Sequence, residues 1–236
     1  MPGIIESVRE QLIENADEKT KESGKKFFKE EVRLYGVKTA TVTKIGNQVF
    51  KLLTDMPKGE IFELCTELWK SSLLEESFVA CNWAYSIRKR YTPEDFNIFE
   101  EWANKYVSNW ASCDSLCNHS IGSFLEQYPG FVENMKTWSQ SENRWVKRAS
   151  AVSFIIPARK GQFKEEIFEI ASRLLLDPDD MVQKGYGWML KSLADACEDE
   201  VFLYVLDHRS SMPRTALRYA IEKMPAERKR EAMKRV

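Results

Sequence analysis

Histidine is nearly missing from this 236-residue chain, with two, and glycine and proline are sparse, at ten and eight. His119 and His208 stand isolated, and neither has the serine or cysteine partner pattern of nucleophilic catalysis. With so few breakers, and no segment that alternates apolar and polar residues over the length of a strand, a β architecture is excluded. No stretch approaches the ~18 to 20 uncharged apolar residues that would span a bilayer. The N-terminus, MPGIIESVREQLIEN, is acidic and amphipathic and lacks the basic flank, apolar run and cleavage site of a signal peptide. The expectation is a cytoplasmic protein with no membrane partner. The five cysteines are an odd number, so no disulfide framework is implied. Cys113 and Cys117, with His119 nearby, could share a helical face, but no second Cys/His cluster completes a four-ligand site. They read as small apolar side chains packed in a helix, and no metal is expected. Walker-type loops, dinucleotide fingerprints and HExxH are absent as well.

What is present is a soluble globular composition, 43% hydrophobic and 30% charged, at a net charge of −1. The charge is uneven along the chain. Residues 1–136 carry 17 Lys/Arg against 21 Asp/Glu, whereas residues 137–236 carry 18 against 15, an excess of +3. Such an excess matters only if the basic residues share a face.

Helical periodicity runs throughout, and helix starts are marked. Thr92 caps a helix with Pro93 at its first position. Asp177-Pro178-Asp179-Asp180 closes one helix and opens the next, Ser141-Glu142 precedes another, and Met212-Pro213 another. The pattern predicts helices near 3–15, 18–34, 40–54, 60–70, 75–90, 94–107, 112–127, 130–138, 142–156, 163–176, 179–195, 198–206, 212–223 and 225–235. Helices of this length in succession suggest an all-α solenoid of stacked pairs, with a compact irregular bundle as the alternative because no strict sequence repeat is present. No linker composition interrupts residues 1–236, which read as one domain.

Three segments carry residues suited to chemistry. In Asn109-Trp110-Ala111-Ser112-Cys113-Asp114-Ser115, Trp110 and Asp114 are four apart, which puts an aromatic face and a carboxylate on one side of a helix. That pair suits a cation, unless Asp114 merely favours a helix dipole and Trp110 a core. In Asn143-Arg144-Trp145-Val146-Lys147-Arg148, Arg148 could grip phosphate through two donors beside Lys147, or could simply snorkel from a solvated face. In Gln183-Lys184-Gly185-Tyr186-Gly187-Trp188-Met189-Leu190-Lys191, Lys184 and Trp188 are four apart. The two glycines cost about 1 kcal/mol each relative to alanine in a helix, so either close packing or a close ligand must justify them. Tryptophans 69, 83, 102 and 138 read as core.

Taken in order, WxxxD at Trp110–Asp114, NxWxxR at Asn143–Arg148, QKxxGWxLK at Gln183–Lys191 and the glycine turn at Tyr35-Gly36-Val37-Lys38-Thr39 resemble the AlkD family of alkylpurine DNA glycosylases. The resemblance implies HEAT-like helical pairs with a concave, positively charged groove. It implies hydrolysis of the N-glycosidic bond of N3- or N7-alkylated purines in double-stranded DNA, without extrusion of the base, by a monomer that needs no cofactor. It makes Asp114 the catalytic carboxylate, Trp110 and Trp188 aromatic walls, and Arg148 a clamp on the DNA backbone; the charges of Lys147, Lys184 and Lys191 beside them are expected to add further DNA contacts. Two departures stand out. Phe27 or Phe28 occupies the place of a family tyrosine. Ala40 and Thr43 stand where proline and arginine usually follow the turn, leaving Thr39 and Lys44 as phosphate contacts. The rival reading is a non-catalytic helical adaptor that binds DNA or protein. It keeps the basic face but has no need of Asp114 together with both tryptophans.

Overall fold

The computed structural model describes residues 3–234, and every regular element among them is helical. The sole extended pairing among them is an isolated bridge between Arg33 and Leu73. The all-α expectation holds; the expected end of the last helix, at residue 235, lies outside the described residues. The chain divides into two compact units, residues 1–116 and 117–236.

The first unit contains α1 (Ile4–Glu14), α2 (Glu18–Lys25), α3 (Thr39–Phe50), α4 (Lys58–Lys70), α5 (Leu74–Ser86), α6 (Phe96–Lys105) and α7 (Trp110–Ser115). α5 packs on both α3 and α4, and α1 packs on α3. The core beside α4 and α6 is aromatic: Phe62, Tyr91, Phe99 and Trp102 meet mostly edge to face, with centroids 5.2–6.2 Å apart. Burying an indole strands its N–H unless an acceptor is supplied. Trp83 donates to the Gly46 carbonyl and Trp102 to the Thr66 hydroxyl, both at 2.9 Å. The turn before α6 starts as expected, with Pro93 at its head and the Thr92 N–H donating to Asp95 at 2.8 Å.

One expected helix is cut short. The pattern over 18–34 gives α2 only to Lys25, and the chain then runs irregularly to Lys38. The competing force is Glu75 on α5, a buried carboxylate that accepts the N–H groups of Tyr35, Gly36 and Val37 at 2.8–3.0 Å. Charge-assisted bonds of this kind outweigh the weak propensity of a Lys/Glu-rich stretch to stay helical. Gly36 makes the turn possible. Its φ is +96°, and a Cβ there would lie 2.5 Å from the Asp17 carbonyl oxygen.

A π-helical stretch, Leu116–Ile121, marks the division. The second unit then contains α8 (Gly122–Gln127), α9 (Val132–Trp138), α10 (Arg144–Val152), α11 (Ile155–Arg159), α12 (Lys164–Arg173), α13 (Asp180–His208), α14 (Arg214–Ala220) and α15 (Ala226–Ala232). α13 is its centre, packing on α10, α11, α12 and α14. Its backbone leaves helical geometry at Cys197 (φ −135°, ψ 54°), at the break expected between residues 195 and 198. The single helix expected over 142–156 is instead two. The Ser153 hydroxyl bonds back to the Ala149 carbonyl at 2.8 Å, a bond that bends helices, and the buried Phe154 ends the run.

Candidate nucleic-acid interface

Each helix that carries candidate residues of the three motifs opens on an Asn or Asp cap. Asn109 starts α7 and accepts the Ser112 N–H at 2.9 Å. Asn143 starts α10 and accepts the Trp145 N–H at 2.9 Å. Asp179 starts α13 and accepts from Met181 and Val182 at 2.8 and 3.3 Å. These caps satisfy N–H groups that the first helical turn leaves without a partner, and so fix where the following side chains point.

In the first unit, α7 presents Trp110 and Asp114 one turn apart, both partly exposed. The first turn of α7 contains no acidic residue, because Asp114 lies in its second turn and Asn109 does the capping. The helix-dipole account of Asp114 therefore fails on position. The π turn begins two residues after Asp114, and such bulges recur at functional sites. Of the two early phenylalanines, Phe28 stacks on Trp110, with centroids 5.4 Å apart and planes inclined by 24°. Phe27 is 72% exposed, and its carbonyl accepts the Trp110 indole N–H at 3.4 Å. Beside this stack lies a cavity of about 240 Å³, walled by Phe27, Phe28, Phe78, Leu74 and Trp110. Its polar rim includes the glycine turn held by Glu75 and ends at Thr39.

Thr39 and Lys44 sit on the exposed face of α3, which carries no acidic residue. Lys44 lines a shallow hollow of about 610 Å³ with Ala40, Thr43, Asn47, Gln48 and Lys51. This face is polar and weakly cationic.

In the second unit, Arg148 is 5% exposed, so it does not snorkel into solvent. Its guanidinium donates to the Met181 carbonyl in the first turn of α13. Gly185 admits it: a Cβ there would stand 3.3 Å from the Arg148 Cγ. Gly187 has a different reason, because its Cβ would lie 2.7 Å from the Ala216 carbonyl oxygen on α14. Both glycines are thus explained by close packing. Lys147 is paired with Asp177, Lys184 with Asp180 at 3.2 Å, and Lys191 with Glu222 at 2.8 Å. Arg144 pairs with Asp179 at 2.8 Å and covers the Trp145 ring at 4.9 Å. The basic residues flanking Arg148 and Trp188 therefore sit on carboxylates.

The tryptophans sort themselves by exposure. Trp69, Trp83, Trp102, Trp138 and Trp145 are buried, whereas Trp110 and Trp188 are partly exposed. A large aromatic left against solvent, in a chain able to bury five others, is the informative exception. Sequence reasoning missed Glu75, an acid in the first turn of α5, and could not decide between Phe27 and Phe28. Cys113 and Cys117 are fully buried, in keeping with a packing role.

Two units of packed helices define an all-α protein. The family model described as DNA alkylation repair enzyme matches residues 8–224, and the chain belongs to that family. Among solved structures, one that is similar in fold is a predicted DNA alkylation repair enzyme from Enterococcus faecalis. It has a TM-score of 0.80 at 15% identity, over 90% of this chain and 98% of that one. No curated protein matches by sequence. Membership places the chain in DNA repair, with DNA as its partner. No helix among the described residues is long and apolar enough to cross a membrane.

Proposed function

We propose that this protein is a DNA glycosylase that hydrolyses the N-glycosidic bond of N3- or N7-alkylated purines in duplex DNA, leaving the base within the helix. The observation that supports this best is the selective exposure of Trp110 and Trp188 while five other tryptophans are buried. An alkylated purine already carries a positive charge, so it leaves as a neutral base without proton donation. The bond from C1′ to nitrogen breaks toward an oxocarbenium-like sugar, and water adds at C1′ and loses a proton. Asp114 would stabilise the developing charge and orient that water. Trp110 and Trp188 would offer π faces to the cation and keep bulk solvent away. Phe28, stacked on Trp110, would hold that ring in place without contributing a hydroxyl.

Arg148 would clamp the DNA backbone. Because it is buried against α13, it would also order the turn that carries Lys184. Lys147, Lys184 and Lys191 would exchange a carboxylate for a phosphate on binding. Thr39 and Lys44 would approach the backbone from α3. Residues 1–236 would act as one module, as a monomer in the cytoplasm, with no metal or organic cofactor. The test is release of methylated base from alkylated duplex, with enzyme in excess. Release at a rate well above spontaneous depurination is expected. Binding without release would leave only the adaptor role.

A further inference from the structure

The second unit has a cationic hollow that none of the three sequence motifs touches. It measures about 510 Å³, lies half open to solvent, and is lined by Arg209, Arg214, Arg218 and Lys234 around Ser210, Met212 and Pro213. Among the described residues, no carboxylate lines it. That sets it apart from Arg144, Lys147, Lys184, Lys191, Lys223 and Arg228, which each sit on an acidic partner. Among the described residues, Arg209 and Arg218 have no ion pair and no side-chain hydrogen bond. Arg214 spends one arm of its fork on the Met233 carbonyl at 3.0 Å and keeps the others. Gathering four like charges with no lining carboxylate among the described residues opposes folding, a cost that helix surfaces commonly relieve by pairing. An anionic ligand removes it.

We propose that this hollow binds the phosphodiester backbone of DNA, whether or not the DNA is damaged. The inference rests on the reading that this chain acts on DNA. Three features favour a backbone over a small anion. Guanidinium forks match phosphate oxygens two at a time. Arg214 and Arg218 are one helical turn apart, a rise of about 6 Å, so they reach successive phosphates of a strand more readily than a single one. The half-open floor of Met212 and Pro213 suits an extended polyanion lying across it, and does not enclose a single ion. The Ser210 hydroxyl adds a neutral donor at the rim.

Arg209→Gln/Arg218→Gln tests this, since neither side chain has an ion pair or side-chain hydrogen bond among the described residues. Titrating undamaged duplex over several salt concentrations should show the log-log slope reduced by about 0.9 for each phosphate no longer neutralised, and so by up to about 1.8. Affinity at low salt should fall roughly tenfold or more, as expected when two cations that displace counterions are removed. Arg209→Lys/Arg218→Lys should restore most of the slope, because the charge remains. An unchanged slope and affinity in the glutamine variant would overturn the site. So would displacement of duplex from the wild-type hollow by inorganic phosphate at fixed ionic strength, which would assign it to a small anion. Loss of the glycosylase reading looks different: no base is released by the wild type, while the slope difference between wild type and variant persists.

Discussion

Gly187 and Gly185 stand two residues apart on α13, and their surroundings give opposite predictions. At Gly187 a Cβ would meet the Ala216 carbonyl oxygen at 2.7 Å, an atom fixed by α14. Gly187→Ala should therefore cost about 1–3 kcal/mol despite the helix-propensity gain of about 1 kcal/mol. Thermal unfolding should drop by several degrees. At Gly185 the nearest atom is Arg148 Cγ at 3.3 Å, a contact that a side-chain shift of a few tenths of an ångström relieves. Gly185→Ala should leave the melting temperature within about 2 °C, with propensity offsetting crowding, and should weaken DNA binding by displacing the Arg148 guanidinium. A lowered melting temperature with unaltered binding would contradict that assignment. Both glycines stood out in the sequence as helix-breaking residues in a helical pattern. Their reason was not legible, because it lies in α10 and α14, elements that only the fold brings against them. Glu75 was hidden the same way: an acidic residue in a first turn has a sufficient local explanation, and only the fold brings Tyr35, Gly36 and Val37 to it.

Element boundaries were most legible where the signal was chemical. Thr92-Pro93, Asp179 and Pro213 mark starts that the structure reproduces, and the turn between residues 195 and 198 falls on the break at Cys197. Boundaries were lost where a distant partner overrode local preference, as in residues 26–34, or where a side chain turned on its own backbone, as at Ser153. Asn109 tests the caps at this scale, being 5% exposed and bonded to the Ser112 N–H. Asn109→Ala should cost about 1 kcal/mol of stability, and Asn109→Asp should recover most of it, because either oxygen-bearing side chain can cap. Chemical denaturation of the three proteins measures this. Equal midpoints would mean that α7, with Trp110 and Asp114, is held in place by something other than its cap.

For the molecule as a whole, a net charge of −1 conceals how the proposed DNA-binding residues would be kept quiet. The motif lysines are held on Asp177, Asp180 and Glu222, so on this proposal they would offer little positive field until a phosphate competed for them. Asp180→Asn releases Lys184 from its partner 3.2 Å away. It should tighten binding of undamaged duplex by roughly two- to tenfold at low salt, with the gain shrinking as salt screens it. A gain that survives at about 1 M salt, where screening is nearly complete, would mean a different cause. The family match spans residues 8–224 and so reaches into both units, while the charge that would perform catalysis is confined to one side chain. Single-turnover excision of alkylated base by wild type and Asp114→Asn is therefore the most direct test. The substitution keeps the shape and removes the charge. Excision should fall by about 10²-fold or more, the scale of losing one preorganised electrostatic group, while affinity for duplex holds or rises. Arg148→Ala should instead lose binding along with excision. Undiminished excision by folded Asp114→Asn would contradict the mechanism.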